Sequence, residues 1–108
     1  MKSYLKTTAG VVLSATMATA SYGATVNVGE LQGFTGPLES MIGPMSGGAN
    51  LAVTETNASG AYLNGTINVV QGDSVCIDAA VAIAQAEKMV NDDNVMAIMG
   101  PNCSGNTG

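Results

Sequence analysis

Three short apolar runs constrain this chain more than any other feature: TVNVGEL at residues 25–31, TINVVQ at 66–71 and VMAIMG at 95–100. Val26 and Val28 alternate with polar neighbours and Leu31 follows, which predicts a strand. The second run, Thr66 to about Gln71, predicts another. The third is continuously apolar, as expected of a strand buried on both faces in a parallel sheet. Between the first two lie Met45, Ala49, Ala52 and Val53 at helical spacing, with Ile42 upstream on the same face. Between the second and third lies the alanine-rich stretch CIDAAVAIAQAEKMVND, residues 76–92, a helix of good propensity. Strand–helix–strand–helix–strand calls for crossovers, a parallel sheet and helices on its faces.

Punctuation supports these bounds. QGFTGPLESMIG, residues 32–43, is rich in Gly and Pro and predicts a loop. Pro44 suits the first turn of the helix that follows, where a missing N–H has no cost. Gly47 and Gly48 weaken that helix by roughly 1 kcal/mol each relative to Ala, unless they permit close contact with the sheet. ETNASGAYLNG ends it with turn residues, and Asp92-Asp93-Asn94 is a solvated turn before the third strand. Asp73, just after the second strand, is expected to cap a loop or a helix.

The first 24 residues stand apart. Lys2 and Lys6 form a basic start, Ala9 to Ala20 is moderately apolar and too short to span a bilayer, and Ala18-Thr19-Ala20 fits an A-x-A cleavage pattern. The expectation is a signal peptide over 1–24, cut between 20 and 24; the alternative is a poorly ordered soluble N-terminus. No cysteine lies at the cleavage region to carry a lipid anchor. Residues 25–108 then form the domain. Removing the leader leaves Lys88 as one base against eight acids, a net charge of −7. That argues against nucleic acid and anionic membranes as partners.

Two cysteines, Cys76 and Cys103, and no histidine fall short of a zinc set. Neither a Cys-x-x-Cys nor a G-x-S-x-G motif is present, and no dinucleotide or Walker A fingerprint can be found. In an oxidising compartment a lone cysteine pair is usually a disulfide; two buried reduced thiols are the alternative. If the first strand lies between the other two, those two are about 10 Å apart. The cysteine loops must then lean together over it, because a disulfide needs Cα atoms within about 7 Å. The three Asn-x-Ser/Thr sites, at Asn57, Asn64 and Asn102, matter only in a eukaryotic secretory pathway and are read as chance.

The order of TGPLESM, GANLAVTETNASG, GDSVC, AVAIAQAEKMV and VMAIMGPNCSGNT resembles the amino-terminal lobe of the solute-binding proteins of branched-chain amino-acid ABC transporters, the leucine/isoleucine/valine-binding family. The resemblance covers nearly all of residues 25–108. It implies a partial doubly wound α/β sheet of type I periplasmic binding fold, with ligand held between two lobes joined by hinge strands. A doubly wound sheet ordinarily has about five or six strands, so the expectation is an incomplete first lobe. By resemblance, Cys76 and Cys103 form the disulfide of that lobe. Ser104 stands where the family has a serine contacting the amino-acid head group. Met41 stands where well-known members place an aromatic side chain, a departure that bears on ligand choice. The expected ligand-binding set is Met41, Cys103, Ser104 and Thr107.

The function implied is a periplasmic receptor that captures an amino acid, needs no cofactor or metal, and delivers its ligand to a membrane permease. A sensory ligand-binding domain shares the fold and is the alternative; a fragment of an α/β enzyme is less supported, because no catalytic motif is present.

Overall fold

The computed structural model describes residues 23–107. The proposed leader, apart from Gly23 and Ala24, lies outside the described residues. Three parallel strands and two helices alternate: β1 (Thr25–Gln32), α1 (Glu39–Ser59), β2 (Thr66–Asp73), α2 (Ala79–Asn91) and β3 (Val95–Met99), then a single 3-10 turn at Ser104–Asn106. The sheet order is β2-β1-β3, all parallel, so all three strands point their carboxyl ends at one edge.

β1 is the centre of the sheet, and its two sets of alternating side chains meet different layers. Gly29 and Leu31 face α2: Leu31, Met89 and Val95 form a buried apolar cluster, with Val70, Ala86 and Ile98 packed against it. Val95 and Ile98 are three apart, yet both join that cluster. A register irregularity between Asn27 and Val28 of β1 opposes an extra residue of β3 and makes this possible.

Glu30 faces α1, where its carboxylate meets Ser46. That helix buries Ile42 and Ser46, while Ala49 and Val53 are half-buried and Met45 and Ala52 are exposed. It begins at Glu39, five residues before Pro44, so residues 39–43 are helix and not loop, and Pro44 is inside the helix. The first turn closes without a side-chain cap, through Glu39 N–H to the Gly36 carbonyl (3.2 Å) and Met41 N–H to the Leu38 carbonyl (2.9 Å). Glu39 there complements the helix dipole. A Cβ on Gly43, Gly47 or Gly48 would meet nothing within 4 Å, so these glycines do not serve close packing. Gly60 ends α1 in the left-handed conformation.

The second helix begins three residues later than its alanine-rich sequence suggests, because Asp78 is its N-cap and accepts the Ala80 N–H at 2.9 Å. Ala82 and Met89 are its buried residues. Lys88 pairs with Asp93 at 2.7 Å beyond its end. β3 is not buried on both faces: Met96, Ala97 and Met99 are exposed, since among the described residues it is an edge strand. No described helix is long and apolar enough to cross a membrane.

Candidate functional site

The segments that trail the three strands all leave the carboxyl edge, the edge at which open α/β sheets hold ligands. Several cross-ties join them. The first is the Cys76–Cys103 disulfide, with Cα atoms 5.3 Å apart, which links the segment after β2 to the segment after β3. Since β1 lies between those strands, the bond must pass over the end of β1. Gly33, the first residue beyond β1, makes that passage possible. A Cβ there would collide with Cys76 Sγ and lie 3.7 Å from Cys103 Sγ. The glycine is therefore required by a close approach and not by its φ. Closing 27 residues of chain in this way stabilises the fold by about 3.5 kcal/mol on the chain-entropy account.

The second tie is a carboxylate. Asp73 closes β2 and accepts from Thr35 Oγ1 (2.6 Å), Thr35 N–H (3.3 Å) and Val75 N–H (2.9 Å). Partial burial raises its pKa, but the hydrogen bonds from the Thr35 hydroxyl and from the Val75 and Thr35 backbone outweigh that and hold the carboxyl below its ordinary value. The expected loop-capping role of Asp73 is thus observed. Val75 and Cys76 both have positive φ, 50° and 65°, which for a β-branched Val is strained. The third tie runs from Asn106 Nδ2 to the Ser74 carbonyl at 2.9 Å. Gly33 N–H also donates to Asn102 Oδ1 at 3.1 Å. Each trailing segment is bonded to both others.

The predicted ligand residues sit on this rim in different ways. Met41 lies in the first turn of α1, 57% exposed, and not in a loop. Cys103 is buried in the disulfide. Ser104 opens the 3-10 turn and is exposed, with its side chain unbonded among the described residues and its carbonyl accepting the Thr107 hydroxyl at 3.0 Å. None of Met41, Cys103, Ser104 and Thr107 lines either of two clefts found among the described residues. The larger, about 300 Å³, lies between Gln32, Met45, Ala49, Met99, Gly100 and Asn102. The smaller, about 190 Å³, continues beneath α1 beside Val28, Glu30, Val53 and Val69.

Those clefts border a polar cluster that the strand pattern did not reveal. Glu30 is 1% exposed, and its carboxylate accepts from Gln32 Nε2 (2.7 Å), Ser46 Oγ (3.0 Å) and Gln71 Nε2 (2.9 Å). A buried carboxylate needs such donors. Because Gln32 gives its amide nitrogen to Glu30, its Oε1 is left without a partner among the described residues. The signal was legible in principle: Glu30 and Gln32 occupy alternate positions on the same face of a strand otherwise carrying valines.

Comparison with known proteins agrees with this geometry. Residues 25–108 match the family described as periplasmic binding protein. The chain belongs to that family. It is similar to proteins named Leu/Ile/Val-binding protein homolog 7 from Brucella abortus, Brucella suis and Brucella melitensis. The identity to each is 35% over 82 residues, which is 76% of this chain and 20% of the relative. The chain thus spans about a fifth of the length of these relatives.

Proposed function

We propose that this chain supplies the start of the first lobe of a periplasmic receptor that captures an amino acid for import by an ABC transporter. The observation that carries the reading is the cross-tied rim. The segments after β1 and β3 carry Met41 and Cys103, Ser104 and Thr107 to one edge of a parallel sheet, and a disulfide, a carboxylate and hydrogen-bonding asparagines tie them to each other and to the segment after β2. A rim fixed before ligand arrives loses little entropy on binding. The exposed Ser104 hydroxyl and the backbone of residues 104–107 offer groups suited to a zwitterion. The family is one of binding proteins, and the relatives' printed names point to leucine, isoleucine and valine as first candidates.

The mechanism that fits is closure of two lobes around ligand, with ligand favouring the closed state by contacting both. A signal peptide at residues 1–24 would direct the protein to the periplasm, where a membrane permease would receive its cargo. Thermal-shift screening of the complete protein against the twenty amino acids tests this directly. A ligand present at 100 times its Kd adds about 2.7 kcal/mol of stability. A melting curve that no amino acid moves would contradict the proposal.

A further inference from the structure

The carboxylate of Asp73 gathers two segments 38 residues apart in sequence. It takes both the hydroxyl and the backbone N–H of Thr35 from the segment after β1, and the N–H of Val75 from its own segment. Gly36, with φ +99°, crosses directly over the Val75 carbonyl, where a Cβ would stand 2.7 Å from the oxygen. The segment held in this way leads straight into α1, whose first N–H bonds the carbonyl of Gly36 itself. The next residue along β2's trailing segment, Ser74, receives Asn106 from the turn that carries Ser104. Asp73 and Ser74 are therefore the junction of all three segments.

We propose that Asp73 is the positioning residue of the rim: through Thr35 it holds the segment bearing Met41 in register with the segment bearing Ser104. The inference rests on the proposed function for its effect on ligand, but the hold on residues 33–41 can be read without one. The carboxylates that open the neighbouring helices, Glu39 and Asp78, make no hydrogen bond to Asp73, and Lys88 is engaged with Asp93. The latch is hydrogen-bonded and not an ion pair, so salt leaves it unchanged.

The experiment compares the complete protein as wild type, Thr35→Val and Thr35→Ser. Calorimetry with L-leucine, L-isoleucine and L-valine reads affinity, and amide hydrogen exchange reads residues 33–41 and the Ala82–Met89 stretch of α2. The expected result for Thr35→Val is about a tenfold loss of affinity, as for one hydrogen bond to a charged group. Exchange at 33–41 should rise at least about tenfold, with α2 unchanged, and Thr35→Ser should restore both. Unchanged exchange in Thr35→Val overturns the latch, and raised exchange with unchanged affinity overturns its positioning role. A wild type that binds none of the three amino acids counts against the proposed function instead. Exchange then decides the latch alone: a rise at 33–41 supports it, and no change overturns it.

Discussion

The two faces of this sheet are held by different physics. Beneath α2, Leu31, Met89 and Val95 pack into an apolar cluster, and Gly29 is covered so closely that a Cβ would meet Met89 Sδ at 2.9 Å and Ile98 Cγ1 at 3.1 Å. Beneath α1, the central strand presents Glu30 and Gln32, and the helix answers with Ser46. Clefts of about 300 and 190 Å³ remain open there. The α2 face is fixed by volume. On the α1 face, donors are satisfied around one buried charge. A single strand can support both only because alternate side chains point to opposite layers.

The largest test of this contrast is Leu31→Ala, which empties the α2 face. It should cost about 2–5 kcal/mol, measured by urea unfolding. A loss under 1 kcal/mol would mean that the cluster is not what holds β1. On the other face, Glu30→Ala takes the acceptor from Gln32 Nε2 and from the Ser46 hydroxyl, and one of two acceptors from Gln71 Nε2. A loss of about 2–3 kcal/mol is expected, with Glu30→Gln markedly milder because one acceptor survives. Equal losses for the two variants would show that shape, and not hydrogen bonding, governs the cluster.

Glycine to alanine should carry opposite signs in the packed layer beneath α2 and on the exposed side of α1. Gly29→Ala overpacks the α2 side and should destabilise by about 1–3 kcal/mol. Gly48→Ala meets nothing and should stabilise α1 by roughly 0.5–1 kcal/mol. The same sign at both positions would remove the distinction.

The smallest effect concerns acid. The folded-state carboxyl of Asp73 is held below its ordinary value of 3.8, so its contribution is complete above that value and is lost as pH falls through the lower, folded one. Asp73→Asn should therefore flatten the acid limb of the stability curve below pH 3.8 and leave it unchanged near pH 7 in slope. An acid limb identical to wild type would mean that the three hydrogen bonds do not distinguish the charged form.

How far the sequence revealed these features follows from the same contrast. The α2 face was readable because apolar alternation in β1 and β2 and the alanine-rich helix obey simple periods. The order strand–helix–strand–helix–strand called for a parallel sheet, and the need for the cysteine loops to lean over the first strand followed only on the condition that it lies between the other two, as the sheet order shows it does. What that argument lacked was Gly33, which looked like one more loop glycine and is the residue the disulfide passes. The α1 face was harder. Glu30 and Gln32 interrupt the valine pattern without announcing their partners, which lie 16 and 41 residues away from Glu30. Residues 39–43 looked like loop because Pro44 fits a helix start, yet the chain begins its helix earlier and accommodates the proline inside. The third strand's apolar run suggested burial on both faces, whereas its actual exposure depends on which layers cover it.

If the carboxyl rim is an amino-acid site, Ser104 is the cleanest place to test it. Its hydroxyl makes no hydrogen bond among the described residues, so removing it leaves the fold alone. Calorimetric titration of the complete protein with its best amino acid should show Ser104→Ala binding more weakly by about 1–3 kcal/mol, roughly 5- to 150-fold. Affinity equal to wild type, in a variant that melts at the same temperature, would place the ligand elsewhere.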